Sequence, residues 1–309
     1  AQSAKLYHLG IAPVKRSTLS DANQRVSSDI YKEVFQYLLS KCQAMTNNTL
    51  DFQNPISSLD ATVINLCHSL YPWAKYRTQK GAVKLHVKLD HNGYLPDAIV
   101  ITEGNKHELT VAKSMAFKPD SILVIDRGYY DFGWFYELHK QGVTFVVRAK
   151  KDLSYSVVGQ HEVSDQNTGV LSDEDIRVPW RHKPQPSLKP KYPFPLRMVT
   201  YEDPQTGQIF KFLTNNESYK PETIALIYKQ RWQIELFFKW IKQRLLIKSF
   251  VGTSKNAVFT QIWIALTVYL LIWYVKAQTR YKSSLTQLTR IFNEMIFERV
   301  SILDLLGLN

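Results

Sequence analysis

Between residues 57 and 148 the apolar pattern of the chain changes period several times, and that order of changes constrains the fold more than any other feature. "SSLDATVINLC" is a short, mostly apolar run suited to an inner strand. "GAVKLHVKLD" alternates cleanly, which sets Val83, Leu85, Val87 and Leu89 inward and Lys84, His86, Lys88 and Asp90 outward. A turn at His91-Asn92-Gly93 leads into "GYLPDAIVITEG" as a third strand. A helix near 107–116 precedes "SILVIDRGYYD", an apolar strand whose last residue is Asp126. A helix through "WFYELHKQG" then returns to "VTFVVRAK". The order is three antiparallel strands, then helix, strand, helix, strand.

The flanks have a different texture. Residues 1–50 are predicted helical, with Ser20 capping a helix that runs on through "SSDIYKEVFQYLLSKCQAM" and sets Ile30, Val34, Tyr37 and Leu38 at helical spacing. Residues 51–150 hold the strands just described. From 151 to 215 short polar strands alternate with turns, and six of the thirteen prolines fall between 179 and 195. That segment is predicted to be a β-rich insertion, with "DPQTGQ" at 203–208 as a hairpin tip. Residues 216–309 return to helix. Asn256 to Val275 carry no charge over twenty residues, long enough to span a bilayer. Thr260, Gln261 and Thr267 interrupt the run and no second one exists, so a buried core helix is the better reading. The run 285–306 is amphipathic and suits packing at home or in a dimer.

A net charge of +12 points to a polyanionic partner, nucleic acid or an anionic membrane surface. Half of that excess sits in residues 220–255, where eight Lys or Arg face only Glu222 and Glu235. Cys42 and Cys67 form neither a disulfide framework nor a metal motif, which fits a reducing, cytoplasmic compartment. No signal peptide is visible, and the first residue is not Met, as expected of a fragment or processed product.

Within "YKQRWQIELFFKWIKQRL", residues 228–245, one glutamate stands among five lysines and arginines. At about 100° per residue, Tyr228, Arg231, Lys239 and Lys242 fall within about 40° of Glu235, and apolar residues cover most of the remaining circumference. Ion pairs from Arg231 to Glu235 and from Glu235 to Lys239 are the plain explanation of that stripe. Two further acids change its meaning. Asp60 lies on the first strand and Asp126 at the end of a later one, and sites in such sheets form at strand ends. Asp60, Asp126 and Glu235, with no His or Cys cluster beside them, suit Mg²⁺ or Mn²⁺. Two such ions clamp the attacking and leaving oxygens of a phosphodiester, and Arg231, Lys239 and Lys242 would hold its neighbours.

These residues carry a resemblance. The spacing Y-(2)-R-(3)-E-(6)-K, met by Tyr228, Arg231, Glu235 and Lys242, resembles the signature of the insertion-sequence-4 family of bacterial DDE transposases. "SLDATVINL" and "VIDRGYYD" are similar to that family's first and second aspartate motifs, and "QRWQIELFFKWIKQRLLIKSF" to its third block. The resemblance implies a ribonuclease H-like mixed sheet flanked by helices, interrupted by a β-rich insertion. It implies cut-and-paste transposition, with metal-bound Asp60, Asp126 and Glu235 as catalytic carboxylates and Tyr228, Arg231 and Lys242 on DNA phosphates near a flipped base. Flipping calls for an aromatic partner, for which Trp180 is the candidate. The resemblance also implies a homodimer on paired ends of double-stranded DNA, nucleoid association in a bacterial cytoplasm, and an N-terminal DNA-binding region of which residues 1–50 are the remnant.

Plainer roles exist for single residues. Asp126 caps a turn at Arg127-Gly128, Asp131 caps the next helix, and Glu103, His107 and Glu108 border the site or cap a helix. Competing functions are an inactive or domesticated DNA-binding relative, a ribonuclease H-like nuclease and a monotopic membrane protein. The first requires loss of an acid, and all three are present.

Overall fold

The computed structural model describes residues 6–8, 10–46, 54–77, 80–163, 168–179, 192–244, 250–295, 297–298 and 300–307. Trp180 lies outside them. Its centre is the predicted succession: β1 (Ile56–Leu66), β2 (Lys75–Arg77), β3 (Lys80–Asp90), β4 (Leu95–Glu103), α3 (Glu108–Ala112), β5 (Ile122–Ile125), α4 (Phe132–Lys140) and β6 (Thr144–Arg148). β1 and β4 pair antiparallel with β3, while β5 is parallel to β1 and β6 parallel to β5. The short β2 shares the outer edge of β3 with β4. The resulting order β4-β3-β1-β5-β6 is the ribonuclease H-like arrangement. Its parallel connections each need a crossover, which α3 and α4 supply.

The predicted β-rich insertion contains β7 (Ser156–Gln160), β8 (Val170–Arg177), β9 (Leu196–Glu202) and β10 (Ile209–Thr214). These strands prolong the same sheet outward from β6 in the order β10-β9-β8-β7. Residues 203–208 form the turn between β9 and β10, where Gly207 N–H bonds Asp203 O at 2.8 Å.

Helices cover both faces. α4 lies with Leu59, Leu123, Ile125, Phe145 and Val147 on one side. The opposite side carries α5 (Pro221–Lys229) against Ile56, Ile122, Val124 and Val146. Beside it α2 (Ser28–Gln43), α6 (Trp232–Arg244) and α7 (Lys255–Thr279) pack with Val83, Leu85, Val87 and Leu89. α7 is long and apolar enough to cross a membrane, yet half of its apolar window is buried inside the protein, where it forms the core helix expected of 256–275.

Three expectations need correction. The outward face of β3 is covered as well: His86 and Lys88 are buried, His86 on Thr102 Oγ1 at 2.9 Å and Lys88 on Asp97 at 2.6 Å and Ala116 O at 2.8 Å. Period-two alternation marks which residues share a face but not whether an α3-side segment covers the polar one. Ser20 is not a cap; it lies inside α1 (Arg16–Arg25), and Ser27 caps α2 by accepting from Asp29 N–H. α2 buries Phe35, Leu39 and Cys42, which share the spacing of the exposed Ile30, Val34 and Tyr37. The amphipathic run 285–306 needs no such correction and holds α8 (Leu285–Met295) and α9 (Ile302–Leu305).

Candidate active site

Strand register builds the first half of the site. Leu59 pairs with Ile125, and Ile125 with Val147. One residue further along each strand come Asp60, Asp126 and Arg148, and Arg148 is opposite Phe212 of β10. Alternation turns this row away from the α4 side, because Leu59, Ile125 and Val147 already belong to that core. Asp60 remains within β1, whereas β5 ends at Ile125, so Asp126 is the first residue beyond its strand.

The two carboxylates are held differently. Asp60 Oδ1 accepts from Ala61 N–H at 2.7 Å. Burial pushes its carboxyl up to about 7, and the neighbouring charge of Asp126 adds to the rise, while Ala61 N–H and Arg231 oppose it. Asp126 Oδ1 accepts from Gly128 N–H at 2.7 Å and so does cap the 127–129 turn. That role and a place beside Asp60 coexist, since a carboxylate has two oxygens. Asp131 caps α4 through Trp134 N–H at 2.7 Å and is not part of the row.

The 228–245 stretch is two helices. α5 ends at Lys229, and 3₁₀-type bonds carry the chain over, including Arg231 N–H to Tyr228 O at 3.0 Å, before α6 begins at Trp232. Tyr228 therefore belongs to α5, where its ring lies 4.7 Å from that of Phe212. Arg231 links the carboxylates: Nη1 is 3.4 Å from Asp60 Oδ2, and Nη2 pairs with Glu235 Oε1 one turn into α6. Its guanidinium also lies over the Tyr228 ring, 5.9 Å from the centroid. Of the two anticipated ion pairs only Arg231–Glu235 is present among the described residues. Lys239 is exposed on α6, and Lys242 stands half-buried one turn from it. Trp232 and Leu236 are exposed, because α6 presents that side away from the sheet.

Of Glu103, His107 and Glu108, expected to border the site or cap a helix, each takes a different place. Glu108 contributes negative charge to the surroundings of Asp60, while its carboxylate pairs with Lys84 at 3.2 Å. His107, not Glu108, caps α3. Glu103 faces elsewhere, to Lys255 at 3.1 Å. A cavity of about 190 Å³ beside Arg231 is lined by Tyr201, Phe210, Phe212, Tyr228 and the exposed Trp232. The alternation "IFKFLT" places Phe210 and Phe212 on one face of β10, and this was the readable signal for the cavity.

Among the described residues no three His, Cys, Asp or Glu side chains gather closely enough to hold a metal ion. Two adjacent aspartates with hard oxygen donors, one of them raised by burial and by the charge of the other, fit a divalent cation. Glu235 reaches Asp60 through the Arg231 guanidinium.

Comparison with known proteins supplies the family. The family described as transposase DDE domain matches residues 51–271. A Sinorhizobium fredii protein assigned as transposase y4zB is 30% identical over 285 residues, covering 92% of this chain and 78% of its own. A Geobacillus stearothermophilus protein assigned as the transposase of insertion sequence element IS5377 is 28% identical, covering 90% of this chain and 71% of its own. Among solved structures, a piggyBac transposase synaptic complex with hairpin DNA overlaps 82% of this chain and 56% of its own, at 11% identity and a TM-score of 0.42. With a family match over most of its length, the chain belongs to the DDE-domain transposases.

Proposed function

We propose that this chain performs cut-and-paste transposition by hydrolysis and strand transfer at Asp60, Asp126 and Glu235. The observation that carries the reading is the register of β1 with β5, which sets two carboxylates side by side, with a third one guanidinium away. Like charges held so close are costly unless a cation accompanies them. Asp60, Asp126 and Glu235 would hold Mg²⁺ or Mn²⁺, two ions on this reading, which when bound supply Lewis acidity for in-line displacement at a phosphodiester.

The other residues act on the DNA. Arg231 supplies the compensating charge between Asp60 and Glu235, and its planar fork matches a phosphate equally well. Arg231 thus exchanges carboxylates for a DNA phosphate, leaving Glu235 to turn toward the aspartates. Tyr228 presents its phenol to the same strand, and Lys239 and Lys242 supply positive charge along α6. The aromatic cavity takes an unpaired base, with the exposed Trp232 as a stacking surface beside it. The substrates are double-stranded element ends and target DNA, bound by a homodimer.

Two measurements test this. Asp60→Asn, Asp126→Asn and Glu235→Gln should each reduce metal-dependent cleavage of element-end DNA to background while leaving DNA binding intact. Anomalous diffraction from Mn²⁺-soaked crystals should show density between the three carboxylates. Retained cleavage in Glu235→Gln, with no Mn²⁺ density at the aspartates, would overturn the reading.

A further inference from the structure

A second cavity, of about 250 Å³, lies just beyond Asp126 and is lined by Arg127, Arg148, Lys150, Lys151 and Lys211, with Tyr155 among its walls. Its place follows from β10. Phe210 and Phe212 line the aromatic cavity, whereas Ile209 and Lys211 line this one, so the two lie on opposite faces of a single strand. Arg148 belongs to the row that holds the aspartates and lines the second cavity as well. The cleft therefore begins next to the carboxylates and passes round the end of the sheet.

The walls are prepared for an anion. No carboxylate lines the cleft, and none of its five cations forms an ion pair among the described residues. Asp152, next in sequence to Lys151, is exposed and is not part of the wall. The Nε groups of Arg127 and Arg148 are buried with no hydrogen-bond partner, which is unusual for so strong a donor. Burial and the like charges of Arg127 and Arg231 make the Arg148 guanidinium less basic than usual. Lys211 Nζ donates to Tyr155 Oη at 3.0 Å, and Lys150 lies over the Tyr130 ring at 5.0 Å, so both long side chains are held in place.

We propose that this cleft carries the phosphodiester backbone of a single DNA strand as it leaves the carboxylates and crosses the ends of β6 and β10. The cavity has room for one backbone linkage and its sugar, and none for a duplex. The inference rests on the transposase reading, since it takes the strand to start at Asp60 and Asp126.

The test compares a blunt DNA duplex, the same duplex with a single-stranded oligothymidine tail, and free oligothymidine as competitor. Affinities are measured across a salt series for wild type and for the double variant Lys151→Ala, Lys211→Ala. Both lysines are exposed, so folding is not at stake. Lys80→Ala with Lys282→Ala, two exposed lysines outside the cleft, controls for lost charge. In wild type the tail should tighten binding and steepen its salt dependence, and free oligothymidine should compete that gain away. The cleft variant should lose the gain, lowering the salt slope on tailed DNA by about one to two units, and should match the control on blunt DNA. A tail that adds nothing, equal losses on blunt and tailed DNA, or a gain that oligothymidine does not compete for would each overturn the assignment. Failure of the wild type to bind either duplex would instead overturn the transposase reading itself.

Discussion

An aspartate in the middle of an inner strand has to be maintained against its own desolvation, and Asp60 shows the cost. Its folded carboxyl keeps a proton up to about pH 7, whereas an unfolded aspartate releases it near about pH 4. Between those values the folded state binds more protons, so stability falls as pH rises through that window. Asp60→Asn removes the loss. In the presence of chelator it should stabilise the protein by about 1–3 kcal/mol at pH 8 and by little at pH 4, read from thermal denaturation at both. Equal effects at the two pH values would mean that the carboxyl is not held protonated. Arg231 gives a second prediction. Because its guanidinium already neutralises Asp60 and Glu235, Mn²⁺ should raise the melting temperature of Arg231→Gln more than that of wild type, as ligand linkage requires. An unchanged or smaller rise would place any ion away from these carboxylates. At this scale the sequence was most informative about acids: Asp60 and Asp126 stood out as charges on apolar strand segments, and Glu235 as one acid among five bases. It was silent about Arg148, because what brings that residue to the site is strand register, not local pattern.

Elements decide which of several similar residues reaches the site. Asp126 and Asp131 both cap a turn of helix, five residues apart, yet only Asp126 follows directly on a parallel strand. Asp131→Ala should therefore cost about 1 kcal/mol of stability through the lost α4 cap and leave cleavage at the wild-type rate. A cleavage defect as large as that of Asp126→Asn, in protein that remains folded, would show that the strand-end argument selects the wrong acid. The break between α5 and α6 illustrates how far a helical wheel can be trusted. It grouped Tyr228 and Arg231 with Glu235, and Arg231 does meet Glu235, although Tyr228 sits on another helix and packs on Phe212. A 3₁₀-type linkage keeps these residues close while altering their phase, and no propensity in "YKQRW" announces it. The same limit appears in α2, where two apolar stripes have equal spacing and only the position of α7 selects Phe35, Leu39 and Cys42.

For the whole molecule, the continuity of one sheet from β4 to β7 matters more than the boundaries between its sequence segments. The texture of residues 151–215 was legible as β-rich. Its attachment to β6 was not, since strand pairing over such a separation leaves no local mark. That attachment is reinforced by Asn215, which accepts from Phe145 N–H at 2.9 Å and donates to Val143 O at 3.0 Å. It is reinforced again by Arg197, buried on Asp173 at 2.6 Å and donating to Tyr219 O at 2.6 Å ahead of α5. A sheet tied together in this way should unfold as one unit. Arg197→Met leaves Asp173 buried without its partner, at a cost of about 3–5 kcal/mol. Six of the seven tryptophans lie outside 151–215, so their fluorescence reports on the rest of the molecule while far-ultraviolet circular dichroism reports on all of it. In wild type and in Arg197→Met the two transitions should coincide, with both shifted to lower denaturant in the variant. If the dichroism transition of the variant moves ahead of an unchanged fluorescence transition, the added strands melt on their own and the sheet is not one cooperative unit.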